Sequence, residues 1–160
     1  MNPPAPAPAP AAPPVPRLTH LALHVADLGK SVDFYTRVAG MRLVHERIDA
    51  TTGVAVAWVT TCAADAPLAF AIVLIADAGN ALGYGAPQAP IGPLSHLGFG
   101  LNSRAGVDAI AARAQAAGVL QQAAGYVNEV VGYICMLRDP DGHTVEFSHG
   151  QDFEHNSNVG

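Results

Sequence analysis

Hydrophobic and polar residues alternate strictly in two short segments of this chain, and the second segment repeats the first. Residues 18–25 read Leu-Thr-His-Leu-Ala-Leu-His-Val, and residues 94–101 read Leu-Ser-His-Leu-Gly-Phe-Gly-Leu. A period of two predicts a half-buried β-strand, whose successive side chains point to opposite faces. His20 and His96 therefore lie opposite the large apolar residues of their strands. Two histidines at the same place in an internal repeat favour a shared role.

The same series of elements is predicted after the first histidine strand. Asp27 is a suitable helix N-cap, apolar residues at helical spacing continue to Val38, and Gly40 is a helix stop. Three strands are then predicted, at residues 41–48, 54–61 and 68–75.

The second half repeats this order. Ser103 is predicted to cap an Ala-rich helix that ends at Gly118, and the Asp-Pro-Asp-Gly sequence at residues 139–142 predicts a hairpin turn. The strands of this half are predicted at residues 119–122, 127–131, 133–138 and 144–148. The pattern thus predicts an α+β fold of two tandem βαβββ modules, whose curved mixed sheets enclose a metal-binding cleft.

The domain boundaries follow from composition. Residues 1–16 are almost entirely Pro and Ala, which predicts an extended, disordered tail. The folded domain is predicted at residues 17–150, with modules at about residues 17–76 and 93–150. Residues 151–160 form a second, polar tail.

Composition also narrows the classes of partner. The chain has 160 residues, a formal net charge of −5 and only eight Lys plus Arg, which argues against nucleic-acid binding. No apolar stretch reaches the roughly 18 residues that a membrane span requires. Cys62 and Cys135 stand alone in apolar surroundings, so we expect reduced, buried thiols and a cytoplasmic location.

The last predicted strand adds a carboxylate to the two histidines. When the two halves are overlaid, alternation aims Glu146 the same way as His20 and His96, and Val73 takes its place in the first half. Two imidazoles and one carboxylate leave up to about three open positions on an octahedral divalent cation. These open coordination positions suit chelation of a substrate through two oxygens. The sequence therefore predicts a metal site made of His20, His96 and Glu146.

Several longer motifs accompany these three residues. They are residues 18–27, Ser31-Val32-Asp33-Phe34-Tyr35 with Gly40, residues 95–99, and residues 138–146. Together they resemble the vicinal oxygen chelate superfamily, the group of glyoxalases, bleomycin-resistance proteins and extradiol dioxygenases. The resemblance covers about residues 17–150, and it implies that His20, His96 and Glu146 fall on the metal-ligand positions of the family.

The resemblance implies a divalent-metal enzyme with a small oxygen-bearing substrate and leaves the reaction open. The 2-His-1-carboxylate set resembles that of extradiol dioxygenases, which favours Fe(II) or Mn(II), although those enzymes place a Tyr where this chain has Met136. A glyoxalase-type lyase or isomerase, with Ni(II), Zn(II) or Co(II), is the alternative; glyoxalase I-like members carry a fourth ligand where this chain has Val73. A second alternative is a metal-free protein that sequesters a small molecule, as the bleomycin-binding members do.

Two further residues are candidates for acid-base chemistry, and the assembly is also predicted. His24 lies four strand residues from His20, about 13 Å away, where it can contact substrate or transfer a proton. Glu129 is a candidate general base on a late strand or loop.

Because one βαβββ unit cannot close its own concave sheet, and half of the residues are hydrophobic, we expect a homodimer. In it, we favour an arrangement in which His20 of one chain shares a metal with the partner's His96 and Glu146; the alternative is a site that closes within one chain.

Overall fold

The computed structural model describes residues 18–83, 85 and 95–151, and the first module has the predicted order of elements. Its elements are β1 (His20–His24), α1 (Leu28–Asp33), a π-helical turn (Phe34–Val38), β2 (Arg42–Ile48), β3 (Ala55–Thr60) and β4 (Ala71–Ala76). The predicted tail at residues 1–16 lies outside the described residues, as do residues 152–160 of the second tail.

The second module repeats the first. Its elements are β5 (Leu97–Gly100), α2 (Arg104–Ala116), β6 (Leu120–Asn128), β7 (Gly132–Arg138) and β8 (Thr144–His149). Each module forms a four-stranded sheet of the same topology, β1-β4-β3-β2 in sheet 1 and β5-β8-β7-β6 in sheet 2. The first and last strands of each module pair in parallel, and the other pairs are antiparallel. The α+β fold of two βαβββ modules is thereby confirmed.

Three predicted strands differ from the observed ones. The separate strands at residues 119–122 and 127–131 are one continuous strand, β6, whose register against β7 shifts at three places. Such irregularities interrupt the alternation on which strand prediction depends. The apolar run at residues 68–75 also begins before its strand does, because β4 starts only at Ala71. Leu68, at the start of the run, is 46% exposed, so a continuous apolar run by itself sets neither the burial nor the bounds of a strand.

The helix ends are set by the predicted residues. Asp27 accepts a hydrogen bond from the Lys30 backbone N–H through Oδ1 (3.0 Å), and Ser103 accepts one from Gly106 through Oγ (3.1 Å). These side chains satisfy N–H groups that have no partner within the helix. After the π-helical turn, Gly40 adopts φ +76°, a left-handed conformation that glycine takes without steric cost.

One hydrophobic core connects the modules. Each sheet packs one face against the helices and turns the other, which carries the histidine, away from them; we call these the helix-covered face and the histidine face. The core combines the helix-covered faces with the π-helical turn and α2. Its largest fully buried side chains include Leu23, Ile72, Leu74, Val107, Leu137, Val145 and Phe147.

Polar contacts join the modules next to this core. The buried Tyr35 hydroxyl donates to Asp139 Oδ2 (3.0 Å), and the Ala26 backbone N–H donates to Asp141 Oδ1 (2.9 Å). Arg113 Nε on α2 donates to the Val38 carbonyl at the end of the π-helical turn (3.0 Å). The Asp-Pro-Asp-Gly turn therefore holds the first module as well as reversing the chain.

Candidate metal centre

The strand register confirms the overlay of the two halves. In sheet 1, Ala22 of β1 pairs with Val73 of β4, and in sheet 2, Gly98 of β5 pairs with Glu146 of β8. Val73 and Glu146 thus take equivalent positions in the two sheets, each two residues along the neighbouring strand from its histidine. The repeat therefore places an apolar side chain in one module where the other has a carboxylate.

The second module brings its two predicted ligands together. His96 Nε2 lies 3.7 Å from Glu146 Oε2, and the Glu146 residue is only 3% exposed, whereas the His96 side chain is 36% exposed. Burial of a carboxylate is costly without polar partners. Gln151 provides one, since its Nε2 donates to Glu146 Oε1 at 3.1 Å. The Ser148 hydroxyl donates in turn to Gln151 Oε1 at 3.2 Å.

The first module presents its histidine on an open, largely apolar surface. His20 is exposed, and beside it lies a cavity of about 470 Å³ that Trp58 and Val73 also line. Trp58 is 37% exposed, and its ring centroid lies 4.8 Å from that of His45. A partly exposed Trp beside a histidine offers a flat apolar contact area for a ligand or for another protein surface.

Each histidine also has a hydroxyl partner that the sequence did not assign. Thr19 Oγ1 lies 3.1 Å from His20 Nδ1, and Ser95 Oγ lies 3.1 Å from His96 Nδ1. The signal is present in the repeat, because both histidines follow a hydroxyl residue. Gln151 gave no such signal, since it stands outside the repeat in what was predicted to be a tail.

The three predicted ligands do not converge within one chain. Among residues 18–83, 85 and 95–151, no three His, Cys, Asp or Glu side chains lie close enough together to hold a metal ion. His96 and Glu146 form a pair on sheet 2, and His20 lies on the equivalent face of sheet 1. The structure therefore brings two of the three predicted ligands together on sheet 2 and leaves the third by itself on sheet 1.

The two acid-base candidates lie away from this pair. His24 lines a different cavity, of about 390 Å³, at the other end of β1 near Asp77 and Asn80. Glu129 is an exposed residue of the turn between β6 and β7. Since Glu146 pairs with Met136, the β7 residue nearest that turn lies four positions, or about 13 Å, further along the strand. One chain thus does not bring His24 or Glu129 to the His96–Glu146 pair.

The two thiols are not part of the candidate site. Cys62 and Cys135 are both free. Burial, helped by the charges of Asp108 and Glu146, raises the pKa of the Cys135 thiol to about 11. Hydrogen bonding with the Thr60 side chain lowers the pKa of Cys62. Cys135 is thus held as a neutral core thiol on the helix-covered face of sheet 2.

Comparison with known proteins gives the same class of protein as the fold and the paired site. The chain belongs to the Glyoxalase/Bleomycin resistance protein/Dioxygenase superfamily, whose family model matches residues 17–147. The Pseudomonas aeruginosa protein PA2024 is 41% identical over 136 residues, which are 85% of this chain and 90% of that protein. The predicted superfamily is thus confirmed.

Solved structures share the fold. A glyoxylase/bleomycin resistance protein/dioxygenase domain from Frankia sp. EAN1pec has a TM-score of 0.66 and 23% identity, over 86% of this chain and 99% of that one. Glyoxalase I from Zea mays has a TM-score of 0.64 and 24% identity over 82% of this chain, which spans only 43% of the maize protein. TnmS3, an antibiotic-binding protein from Streptomyces sp. CB03234, has a TM-score of 0.58 and 25% identity, over 84% and 96% of the two chains.

Within the described part of the chain, no helix is long and apolar enough to cross a membrane.

Proposed function

We propose that this chain is a divalent-metal-dependent enzyme that chelates a small oxygen-bearing substrate at a site shared between two copies of the chain. The observation that carries the proposal is the 3.7 Å separation of His96 Nε2 and Glu146 Oε2 in a setting where the carboxylate is otherwise buried. A surface ion pair gains little free energy, whereas a metal ligand is generally held in a fixed orientation by hydrogen bonds of the kind that Gln151 makes to Glu146.

The donor atoms suit a divalent transition metal. One imidazole nitrogen and one carboxylate oxygen stand closer together than about 4.2 Å, the sum of typical metal–nitrogen and metal–oxygen distances. With a second imidazole, the set is the 2-His-1-carboxylate arrangement, which favours Fe(II) or Mn(II). Ni(II), Zn(II) or Co(II) would accompany the glyoxalase-type alternative.

We assign the third donor to His20 of a second copy, which makes the enzyme a homodimer. His20 lies at the position equivalent to His96, on a face that is open in the single chain and bordered by the exposed apolar residues Trp58 and Leu68. Covering that face with sheet 2 of a partner buries apolar surface and brings His20 to the partner's His96 and Glu146.

In this site the residues have distinct tasks. A bound divalent cation supplies Lewis acidity, which stabilises negative charge on a substrate oxygen. Glu146 offsets part of the positive charge and fixes the geometry, while Val73 leaves the fourth equivalent position without a ligand. Trp58 and Val73 form an apolar wall that limits access of water to the chelated group. His24 and Glu129 stay as candidates for proton transfer or substrate contact.

Metal analysis of protein purified without added metal is the first test. The wild type should retain a stoichiometric divalent metal, and Glu146→Ala should lose it because the anionic ligand is gone. Glu46→Ala, which removes an exposed carboxylate from β2, is the matched control and should retain the metal. Stoichiometric metal in Glu146→Ala would reject the ligand assignment.

A mixing experiment tests whether the site is shared. His20→Ala and Glu146→Ala proteins are unfolded and refolded together, so that mixed dimers form. In a shared arrangement, each mixed dimer has one intact site and one site lacking both residues, and part of the metal binding returns. If mixed dimers form and no binding returns, each site lies within one chain.

The reaction is resolved by activity assays on the metal-loaded protein. Oxygen consumption with a panel of catechols supports the dioxygenase-like function that the ligand set favours. Isomerase or lyase activity on a thiol adduct of a 2-oxoaldehyde would support the glyoxalase-type alternative.

A binding protein without metal is the second candidate. The 470 Å³ apolar cavity beside Trp58 and the likeness to the antibiotic-binding TnmS3 favour it. It predicts no retained metal and tight binding of a planar apolar ligand, and Trp58→Ala should weaken that binding. In either case the free thiols favour a cytoplasmic location.

A further inference from the structure

We infer that Thr19, Ser95 and Gln151 are positioning residues of the metal site, each of which holds one polar atom of a ligand so that another atom is presented to the ion. The inference rests on the proposed metal-dependent function and extends it beyond the three ligands. Metal-binding side chains generally have such partners, because an unsupported ligand rotates freely and the wrong atom can be protonated.

The argument for the histidines concerns the imidazole tautomer. A neutral imidazole carries one N–H, on either Nδ1 or Nε2, and only the other nitrogen has a lone pair for a metal. If Nδ1–H donates to the hydroxyl oxygen of Thr19 or Ser95, Nε2 is the nitrogen left free. In the second module that Nε2 is the atom facing Glu146 Oε2, so an ion held between these two atoms would require this tautomer.

Recurrence strengthens the argument. The oxygen–nitrogen distance is 3.1 Å in both modules, although the hydroxyl residue is Thr in one and Ser in the other. Two positions of the histidine face have diverged, since Ala22 corresponds to Gly98 and Val73 to Glu146. The preserved feature is therefore the hydroxyl next to the imidazole.

The argument for Gln151 concerns which carboxylate oxygen is available. Only the amide NH₂ of a glutamine can donate, and Ser148 orients the amide by donating to its oxygen. The amide NH₂ is thus directed at Glu146 Oε1, which leaves Oε2 on the side of His96. Gln151 holds Glu146 as a ligand that binds through one oxygen.

The test combines imidazole tautomers with metal affinity. Thr19→Val and Ser95→Ala remove the hydroxyls, and Thr19→Ser and Ser95→Thr are the conservative variants that retain them. Gln151→Leu removes the amide. Thr51→Val and Gln115→Leu make the same kinds of change at exposed positions away from the ligands. All variants are compared with the wild type for folding by circular dichroism.

The first readout is long-range ¹H–¹⁵N NMR of the metal-free protein, with imidazoles neutral. We expect His20 to carry the proton on Nδ1 in the wild type and to lose that preference in Thr19→Val, whereas Thr19→Ser should retain it. The Nε2 of His96 faces a carboxylate when no ion is bound, so Ser95 is tested by metal affinity instead. A wild type with the proton on Nε2 of His20 would overturn the inference for the histidines.

The second readout is Zn²⁺ and Mn²⁺ affinity by calorimetry. Each removal should weaken binding by about 10-fold to 100-fold, the usual effect of losing such a partner, and the exposed controls should not. If the wild type binds metal and Gln151→Leu binds it equally tightly, Gln151 has no positioning role and the proposed function stands. If the wild type binds neither ion, the proposed function fails, and the inference fails with it.

Discussion

The two histidine faces of this molecule have the same backbone and different chemistry. Sheet 1 presents His20 in the open, with Val73 at the equivalent strand position and Trp58 beside it. Sheet 2 presents His96 next to a buried carboxylate that is held by hydrogen bonds. One face therefore offers a single donor on an apolar surface, and the other offers a donor pair in a polar network.

This difference shows how a duplicated module can divide the work of one site. If both faces carried a carboxylate, two anions and two imidazoles would surround the ion and occupy four of its positions. In the proposed site, Val73 stands in place of one carboxylate, which would leave room for a bidentate substrate and give that substrate an apolar wall. The asymmetry between the modules, more than the symmetry, defines the proposed chemistry.

The largest effect on metal retention is expected from making the two faces alike. Val73→Glu adds an anionic ligand to sheet 1 and should slow metal loss to a chelator by on the order of tenfold, equivalent to ~1.4 kcal/mol. Substrate turnover should fall because a coordination position is taken. Metal release monitored with a chromogenic chelator measures the effect.

Val73→Gln is the matched control, since it has nearly the same shape as the glutamate variant without its charge. It should change metal retention much less. Equal retention in Val73→Glu and the wild type would mean that Val73 does not face the ion.

The largest effect on stability is expected from loosening the contact that holds the two modules together. Tyr35→Phe removes the donor to Asp139 and leaves a buried carboxylate oxygen without that partner. The loss should be about 1–3 kcal/mol of unfolding free energy, measured by urea denaturation. Tyr133→Phe removes a hydroxyl that donates to Asp108 near the surface, and it should cost less. An equal cost for both variants would contradict the importance of burial at the module contact.

The smallest effect is expected in how the free energy of unfolding changes with pH, because Asp139 of the Tyr35–Asp139 contact can be protonated. Burial raises the pKa of Asp139 above its ordinary value of 3.8, with a further rise from Asp141, against the lowering effects of His143 and of the Tyr35 hydrogen bond. The stability linked to protonated Asp139 is therefore present below pH 3.8 and is lost as pH rises through the folded-state pKa.

Asp139→Asn removes this titration. Its unfolding midpoint relative to the wild type should rise between about pH 4 and about pH 7, because only the wild type has to ionise a buried carboxylate. Thermal unfolding at both pH values measures the change, with the exposed Asp65→Asn as the control. A relative midpoint that falls over that interval would contradict the direction of the Asp139 shift.

The sequence alone determined the architecture. Alternation around His20 and His96 set the two first strands, Asp27 and Ser103 set the helix starts, and repetition set the module count. These features are local, because strand alternation and helix capping depend on residues only a few positions apart. The equivalence of Val73 and Glu146 also followed, since the two modules repeat the same order of strands.

Only the tertiary structure decided how the site is divided. The order of residues along the chain did not show that His20 lies apart from His96 and Glu146 of the same chain. The relative placement of the two modules depends on contacts between distant residues, such as Tyr35–Asp139. Gln151 was likewise beyond prediction, since a polar residue after the last strand gains its partner only when the chain folds back on Glu146. Local pattern fixes elements and faces, whereas the convergence of side chains depends on packing over the whole chain.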